Sequence, residues 1–297
     1  MKYLLFTILG LSVLQSKAQD LDEIYHNHLD SLIDNIVFED EELASLLGLN
    51  DRFQFVYGRL SYESNTFYAG RDLGYNQYNL TGQLVYFHSC GLNVALSGVW
   101  YEKLEPKYAA TAVSAGYSRK FNALKNFRFR ASYDRYFYSS NDSISDFTFN
   151  SSINLGTTYR KKWGGSRVDF SLLTGNETRA QVSWDFFADL LIARFGFLNK
   201  IEFEPEASLF FGSEDVVDVK IGRVIGPLGR PRPTIDYITS TQFGLMNLEI
   251  KFPFTMTLGN FDFELGYNIN IPRSLDPDFA YDVTGYLNFS VGYMLSM

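Results

Sequence analysis

"IEFEPEASLFF", residues Ile201 to Phe211, sets glutamates at positions 202, 204 and 206 between Ile201, Phe203, Pro205 and Ala207, and continues to Leu209 and Phe211. Period-2 alternation marks a strand with one apolar and one polar face. In a soluble barrel the apolar face fills the core. In a membrane barrel the pattern is inverted, with lipid outside and a polar, charged lumen. Pro205 is the awkward residue for a closed barrel, because proline in a sheet favours an edge, and a bulge or a broken ladder bond is expected beside it.

The neighbouring chain favours the inverted reading. Tyr78, Leu80, Gly82, Leu84 and Tyr86 alternate with Gln77, Asn79, Thr81, Gln83 and Val85. Phe147, Phe149, Ser151, Ile153, Leu155 and Tyr159 alternate with Thr148, Asn150, Ser152, Asn154 and Arg160. Phe261, Phe263, Leu265, Tyr267, Ile269 and Ile271, and then Leu287, Phe289, Val291, Tyr293 and Leu295, do the same. Such runs are long enough for tilted strands to cross a bilayer.

Twelve strands are expected, at 52–62, 76–87, 92–101, 108–120, 127–138, 147–160, 166–173, 179–195, 200–212, 240–256, 260–271 and 284–296. Their connections alternate in character. One set is short: "HSCG", "NALKN", "KWGG", "FLN" and "LGN". The other is mostly longer and more polar: "ESNTFYAGRDLGY", "EKLEPK", "SSNDSISD", "TGNET", the 213–239 segment and "RSLDPDFAYD". Short periplasmic turns and longer outer loops are the outer-membrane pattern. The fold class expected is all-β, a closed antiparallel transmembrane β-barrel of about twelve strands. Tyr57, Tyr62, Tyr86, Tyr101, Tyr117, Tyr138, Tyr159, Tyr286 and Tyr293 lie near strand ends, where aromatic girdles form.

Three domains follow: residues 1–18 as a signal peptide, 19–50 as an acidic amphipathic segment, and 51–297 as the barrel. The first has Lys2 ahead of an apolar run from Leu4 to Leu14, too short to span a bilayer, with cleavage expected after Ala18. Residues Leu21, Ile24, Leu29, Leu32, Ile33 and Ile36 of the second share a helical face, placing that segment in the periplasm or in the lumen as a plug.

The net charge of −8, falling to about −10 without Lys2 and Lys17, argues against nucleic acid as a partner. Cys90 is the single cysteine, which excludes an intramolecular disulfide and a CxxC metal site. His26 and His28, two apart, point to different faces of a helix and make a poor metal pair. No phosphate-binding glycine loop or other cofactor motif is present, and no cofactor is expected. His88 lacks an orienting carboxylate at a recognisable spacing, and Asp185 and Asp189 are weak candidates for acid/base work. The chain is read as a non-enzyme.

If the apolar faces meet lipid, the charges between them line the lumen: Arg128, Arg130, Arg160, Glu202, Glu204, Glu206, Glu249, Lys251, Asp262 and Glu264. Basic residues on the fifth strand and acidic ones on the eleventh fall half a turn apart, so opposed basic and acidic walls, with a transverse field, are one expectation. If side chains fill the lumen instead, Arg128 and Arg130 must be paired. Lys220, Arg223, Arg230 and Arg232 make the 213–239 segment basic, a loop that could narrow the pore or face lipopolysaccharide phosphates.

The "FEDEELASLLGL" lead-in, "FGLMNLEIKFPFTM" followed by "FELGYNINIP", and the closing "YLNFSVGYML" resemble uncharacterised outer-membrane barrel proteins of Bacteroidota. The resemblance implies a fold and a compartment, the cell outer membrane, but no activity. The chain departs from the usual aromatic terminus by ending in "LSM". "DSL" at Asp30 to Leu32 and "DSI" at Asp142 to Ile144 resemble the O-glycosylation triplet of proteins exported in that phylum. The functional expectation is a narrow channel for small solutes, with outer-membrane lipid and lipopolysaccharide as surroundings. The alternative is a structural or accessory subunit whose N-terminal segment plugs the barrel or docks a periplasmic or outer-membrane protein.

Overall fold

The computed structural model describes residues 54–297 except 69–70, 73–75, 122–123, 140–148, 197–198, 226–230 and 277–278, and leaves the side chains of 68, 71–72, 121, 124–125 and 217–239 undescribed. The signal-peptide, amphipathic-segment and glycosylation-triplet expectations therefore lie outside the described residues. The strands, numbered here around the barrel, are β1 Gln54–Glu63, β2 Asn79–His88, β3 Leu92–Tyr101, β4 Tyr108–Phe121, β5 Leu124–Tyr138 and β6 Phe149–Lys161. Next come β7 Gly164–Gly175, β8 in two segments, Thr178–Ala188 and Leu190–Arg194, and β9 in two segments, Asn199–Phe203 and Glu206–Ile225. The last three are β10 Pro231–Leu258, β11 Phe261–Pro272 and β12 Thr284–Ser296. Each strand pairs antiparallel with the next, and β12 returns to β1 in register from Phe55↔Ser296 to Glu63↔Asn288. The result is a closed barrel of twelve antiparallel strands, with no open edge around its wall.

Closure explains the inverted burial. Leu84 and Tyr267 are 51% and 46% exposed on the outer face, while Val85 and Asn268, the next inward positions, are 0% and 6% exposed. Asn93, Ser114, Asp134, Asn154, Asn247 and Ser290 are also buried inside, and Leu60, Val94, Tyr133, Leu155, Phe254 and Leu287 stand outside. The barrel wears its apolar band on the surface, the arrangement a lipid environment stabilises and water does not.

Five short turns fall at one end of the barrel, while the connections at the other end are longer apart from the two-residue Asn176–Glu177 turn, and this asymmetry marks the end with the five turns as periplasmic. The first contains Gly91 at φ +100°, where a β-carbon would run into the Ser118 carbonyl. Glycine meets both demands there. The exposed Cys90 sits in the same turn, its amide bonded to His88 Nδ1 at 3.1 Å.

Three expectations need correction. The 213–239 segment is not a loop: β9 and β10 stay paired from Glu206↔Lys251 to Ile225↔Pro231, as a two-stranded ribbon that outruns its neighbours. Beyond Ser213 it extends by about a dozen residues per strand, roughly 40 Å at 3.3 Å per residue. The alternation through β6 is not continuous either. A bulge between Phe149 and Ser151 turns Phe149 inward while Ile153 and Leu155 face out. Of the girdle candidates, Tyr57 and Tyr101 are buried inside the barrel, and Tyr286 points inward to bond Glu249.

At Glu204–Pro205 the ladder is interrupted as expected, without a register slip. Phe203 still faces Phe254 and Glu206 still faces Lys251. The adjacent strand is interrupted at the same level, at Asp189, again with its register kept.

Candidate functional site in the barrel lumen

The inward side chains divide the lumen into two sectors. On β1 to β4 they are mainly neutral: Phe55, Tyr57, Val85, Phe87, Ala95, Ser97, Val99, Ala110, Ala112 and Ser114. From β5 round to β11 they carry charge, and the charges interleave by sign. Arg130 of β5 pairs with Asp169 of β7. Arg167 of β7 reaches Asp185 of β8 at 3.7 Å and Glu206 of β9 at 4.0 Å. Lys251 of β10 then bridges Glu206 at 3.1 Å and Glu249 at 3.2 Å, and Glu249 accepts from the Tyr286 hydroxyl at 2.9 Å.

Toward the periplasmic mouth, Arg160 pairs with Asp189 at 3.0 Å and Lys200 with Glu202 at 2.9 Å. Arg59 of β1 meets Glu264 of β11 at 3.1 Å, and Asn288 donates to the other Glu264 oxygen at 2.6 Å. At the opposite rim Arg179 binds Asp215 at 2.6 Å and Glu177 at 2.8 Å.

Alternation along each strand creates this ladder. Inward residues of adjacent strands sit in register, so Arg167 directly faces Asp185 and Glu206 directly faces Lys251. Glu202, Glu204 and Glu206 share one phase because the register is unbroken at Pro205. A glycine makes room at one rung: a β-carbon on Gly156 would overlap both Arg130 and Asp169.

These contacts overturn the idea of a basic wall facing an acidic one. Arg128, 1% exposed, donates to Ser118 Oγ at 3.0 Å, and Arg130 is neutralised by Asp169 two strands away rather than opposed to β11. Glu264 has its own cation in Arg59, and Asp262 lies on the same inward phase of β11. Paired neighbours cancel at short range, so little transverse field survives. Asp185 and Asp189, considered above as an acid/base couple, each have a separate arginine. Lys220 and Arg223 lie on the β9 side of the ribbon, Arg232 lies on its β10 side, and Arg230 is outside the described residues.

Arg59, Arg167 and Asp169 were missed as lumen residues. The signal for two of them was the alternation of Arg167 and Asp169 with Val168 and Phe170, which puts both charges on one face.

A second group bears on solvent. Thr81 of β2, Ser97 of β3 and Ser114 of β4 are buried on adjacent strands, and their hydroxyls have no hydrogen-bond partner in the protein; neither does the Gln181 amide nitrogen, and the Asp185 oxygens accept no hydrogen bond beside their ion pair with Arg167. Beside Ser114, Asp134 accepts from Ser152 Oγ at 3.0 Å and from Asn154. Among the described residues, no group of three or more His, Cys, Asp or Glu side chains is arranged to hold a metal ion.

A closed barrel with a lipid-facing apolar band and a polar, ion-paired interior defines an integral outer-membrane β-barrel protein. Solved structures of similar shape include the NanC porin (10% identity, TM-score 0.48, covering 81% of this chain and 100% of that one) and the KdgM porin (9%, 0.44, 80% and 98%). LpxR from Salmonella typhimurium is similar to the same degree (9%, 0.44, 80% and 99%). No family model matches the chain, and no curated protein does.

Proposed function

We propose that this protein is a narrow, non-enzymatic channel for small dipolar solutes. The observation that carries the reading is the row of buried hydroxyls on Thr81, Ser97 and Ser114 with no protein partner. Each such group costs about 1–3 kcal/mol if it stays dry, and a hydrated lumen removes that cost. The charged ladder on the facing sector stabilises the same water, and its local pairing disfavours strong selection by net charge. A zwitterion can exchange partners with rungs such as Glu206–Lys251 without leaving either charge uncompensated.

Conductance of the purified protein in planar bilayers tests this. Small, resolved steps with weak preference between cations and anions are expected. Preparations that migrate as a folded, heat-modifiable barrel yet give no steps would refute the channel reading. Liposome swelling with a zwitterion the size of glycine should exceed swelling with a singly charged ion of equal size.

A further inference from the structure

The outer wall carries a depression that the channel reading does not use. Its floor is made of outward-facing glycines on three consecutive strands, Gly58, Gly82 and Gly98, and its volume is about 540 Å³. Register explains it. Gly82 directly faces Gly98 across β2–β3, Leu60 faces Gly82 across β1–β2, and Leu84 faces Gly58. Leu60 and Leu84 therefore each stand beside a residue with no side chain, and Leu96, opposite Leu84, completes the walls of a trough. The trough climbs from Tyr293 toward the long-loop end, where Tyr108 closes it with its hydroxyl bonded to Thr111 Oγ1 at 2.5 Å.

A cation waits at that upper end. Lys107 immediately precedes Tyr108, and its Nζ lies 5.6 Å from the centre of the Trp100 ring. The same loop carries Lys103, which donates to the Asn76 carbonyl, and two acids, Glu102 and Glu105. The loop thus offers one amine at the membrane surface rather than a basic patch.

We propose that the trough holds one acyl chain of an outer-leaflet lipid whose phosphate is met by Lys107. Within the apolar band the only molecules available are lipid chains and other protein surfaces. A second copy is the poorer occupant. Two copies meeting through this same patch about an axis along the membrane normal would set their Lys107 amines at one level, and like charges there repel. A phosphate at the head of a chain lying in the trough satisfies both features, because an anion complements the amine and the chain fills the gap between Leu60, Leu84 and Leu96.

Native mass spectrometry of the detergent-purified protein tests the proposal, with monophosphoryl lipid A as probe and a phosphatidylcholine of matched chains as control. The wild type should retain one monophosphoryl lipid A in preference to the control. Lys107→Gln should weaken that binding about fivefold, the worth of one lysine near a charged headgroup. Gly82→Leu, which fills the trough, should weaken binding of both lipids by at least about tenfold. Gly58→Leu serves as the second filling variant, and heat-modifiable migration certifies that each has folded. Unchanged retention in Lys107→Gln together with either folded filling variant overturns the proposal. So does a dimer that a filling variant dissociates, which would assign the trough to a second copy.

Discussion

Glu204 lies opposite Pro253 across the β9–β10 pair, and the exchange between them is one-sided. The Glu204 amide donates to the Pro253 carbonyl at 3.1 Å, and Pro253 has no N–H to return. One residue on, the Pro205 carbonyl accepts from the Ala188 amide at 3.0 Å and likewise returns nothing. Two absent donors on neighbouring rungs account for the interruption in β9 while the flanking register holds. Replacing Pro205 with Val supplies a donor opposite the Ala188 carbonyl. The expected gain is about 0.5–1.5 kcal/mol, seen as a higher temperature for loss of the fast-migrating folded band. A lower temperature would mean that the proline ring holds a backbone conformation valine does not adopt.

Arg130 and Asp169 form a buried pair packed against Gly156. Removing one partner strands a charge in the wall, so Arg130→Met and Asp169→Leu should each cost about 3–5 kcal/mol. The double replacement should cost much less than their sum. Urea unfolding followed by the fluorescence of Trp100, Trp163 and Trp184 measures all three. Additive single effects would show that the two side chains do not act as a unit.

The membrane barrel was legible because alternation is a local property. A residue such as Leu84 or Leu287 declares its face by its distance from its neighbours in sequence, and a single bulge is the main thing that can mislead. That happened at Phe149, where one extra residue before Ser151 turned the ring inward. The site was harder to read, because an ion pair across strands depends on register. Arg167 meets Asp185 and Glu206 only once β7, β8 and β9 are aligned, and no spacing within any one strand reports it. The basic segment was misread because its prolines and glycines suggest a loop. A two-stranded ribbon beyond the barrel has open edges, where a missing proline N–H costs no ladder bond, so Pro231 and Pro233 fit in paired strands.

The luminal hydroxyls separate a wet interior from a dry one. In a dry lumen Thr81→Val removes an unsatisfied group and should stabilise the barrel by about 1 kcal/mol or more. In the hydrated lumen proposed above, the same change should leave stability within about 0.5 kcal/mol and lower single-channel conductance. Ser97→Ala and Ser114→Ala should act in the same direction, because they replace a hydroxyl with an apolar surface along the same path. Thermal unfolding and bilayer recording on the same preparations decide between the two. Clear stabilisation with unchanged conductance would count against the channel.

The depth of the apolar band can be measured from the outside. Leu155 stands on the outer face midway along β6, and Phe137 stands near the long-loop end of β5; both are exposed. An arginine at the bilayer midplane of a barrel costs about 2–4 kcal/mol, falling to about 0–1 near the interface, where the side chain reaches the headgroups. Leu155→Arg should therefore destabilise the folded barrel in vesicles by several times as much as Phe137→Arg, and the difference should shrink in detergent, where depth is poorly defined. Equal costs at the two positions would place β6 and β5 differently in the membrane from the arrangement that the short turns define.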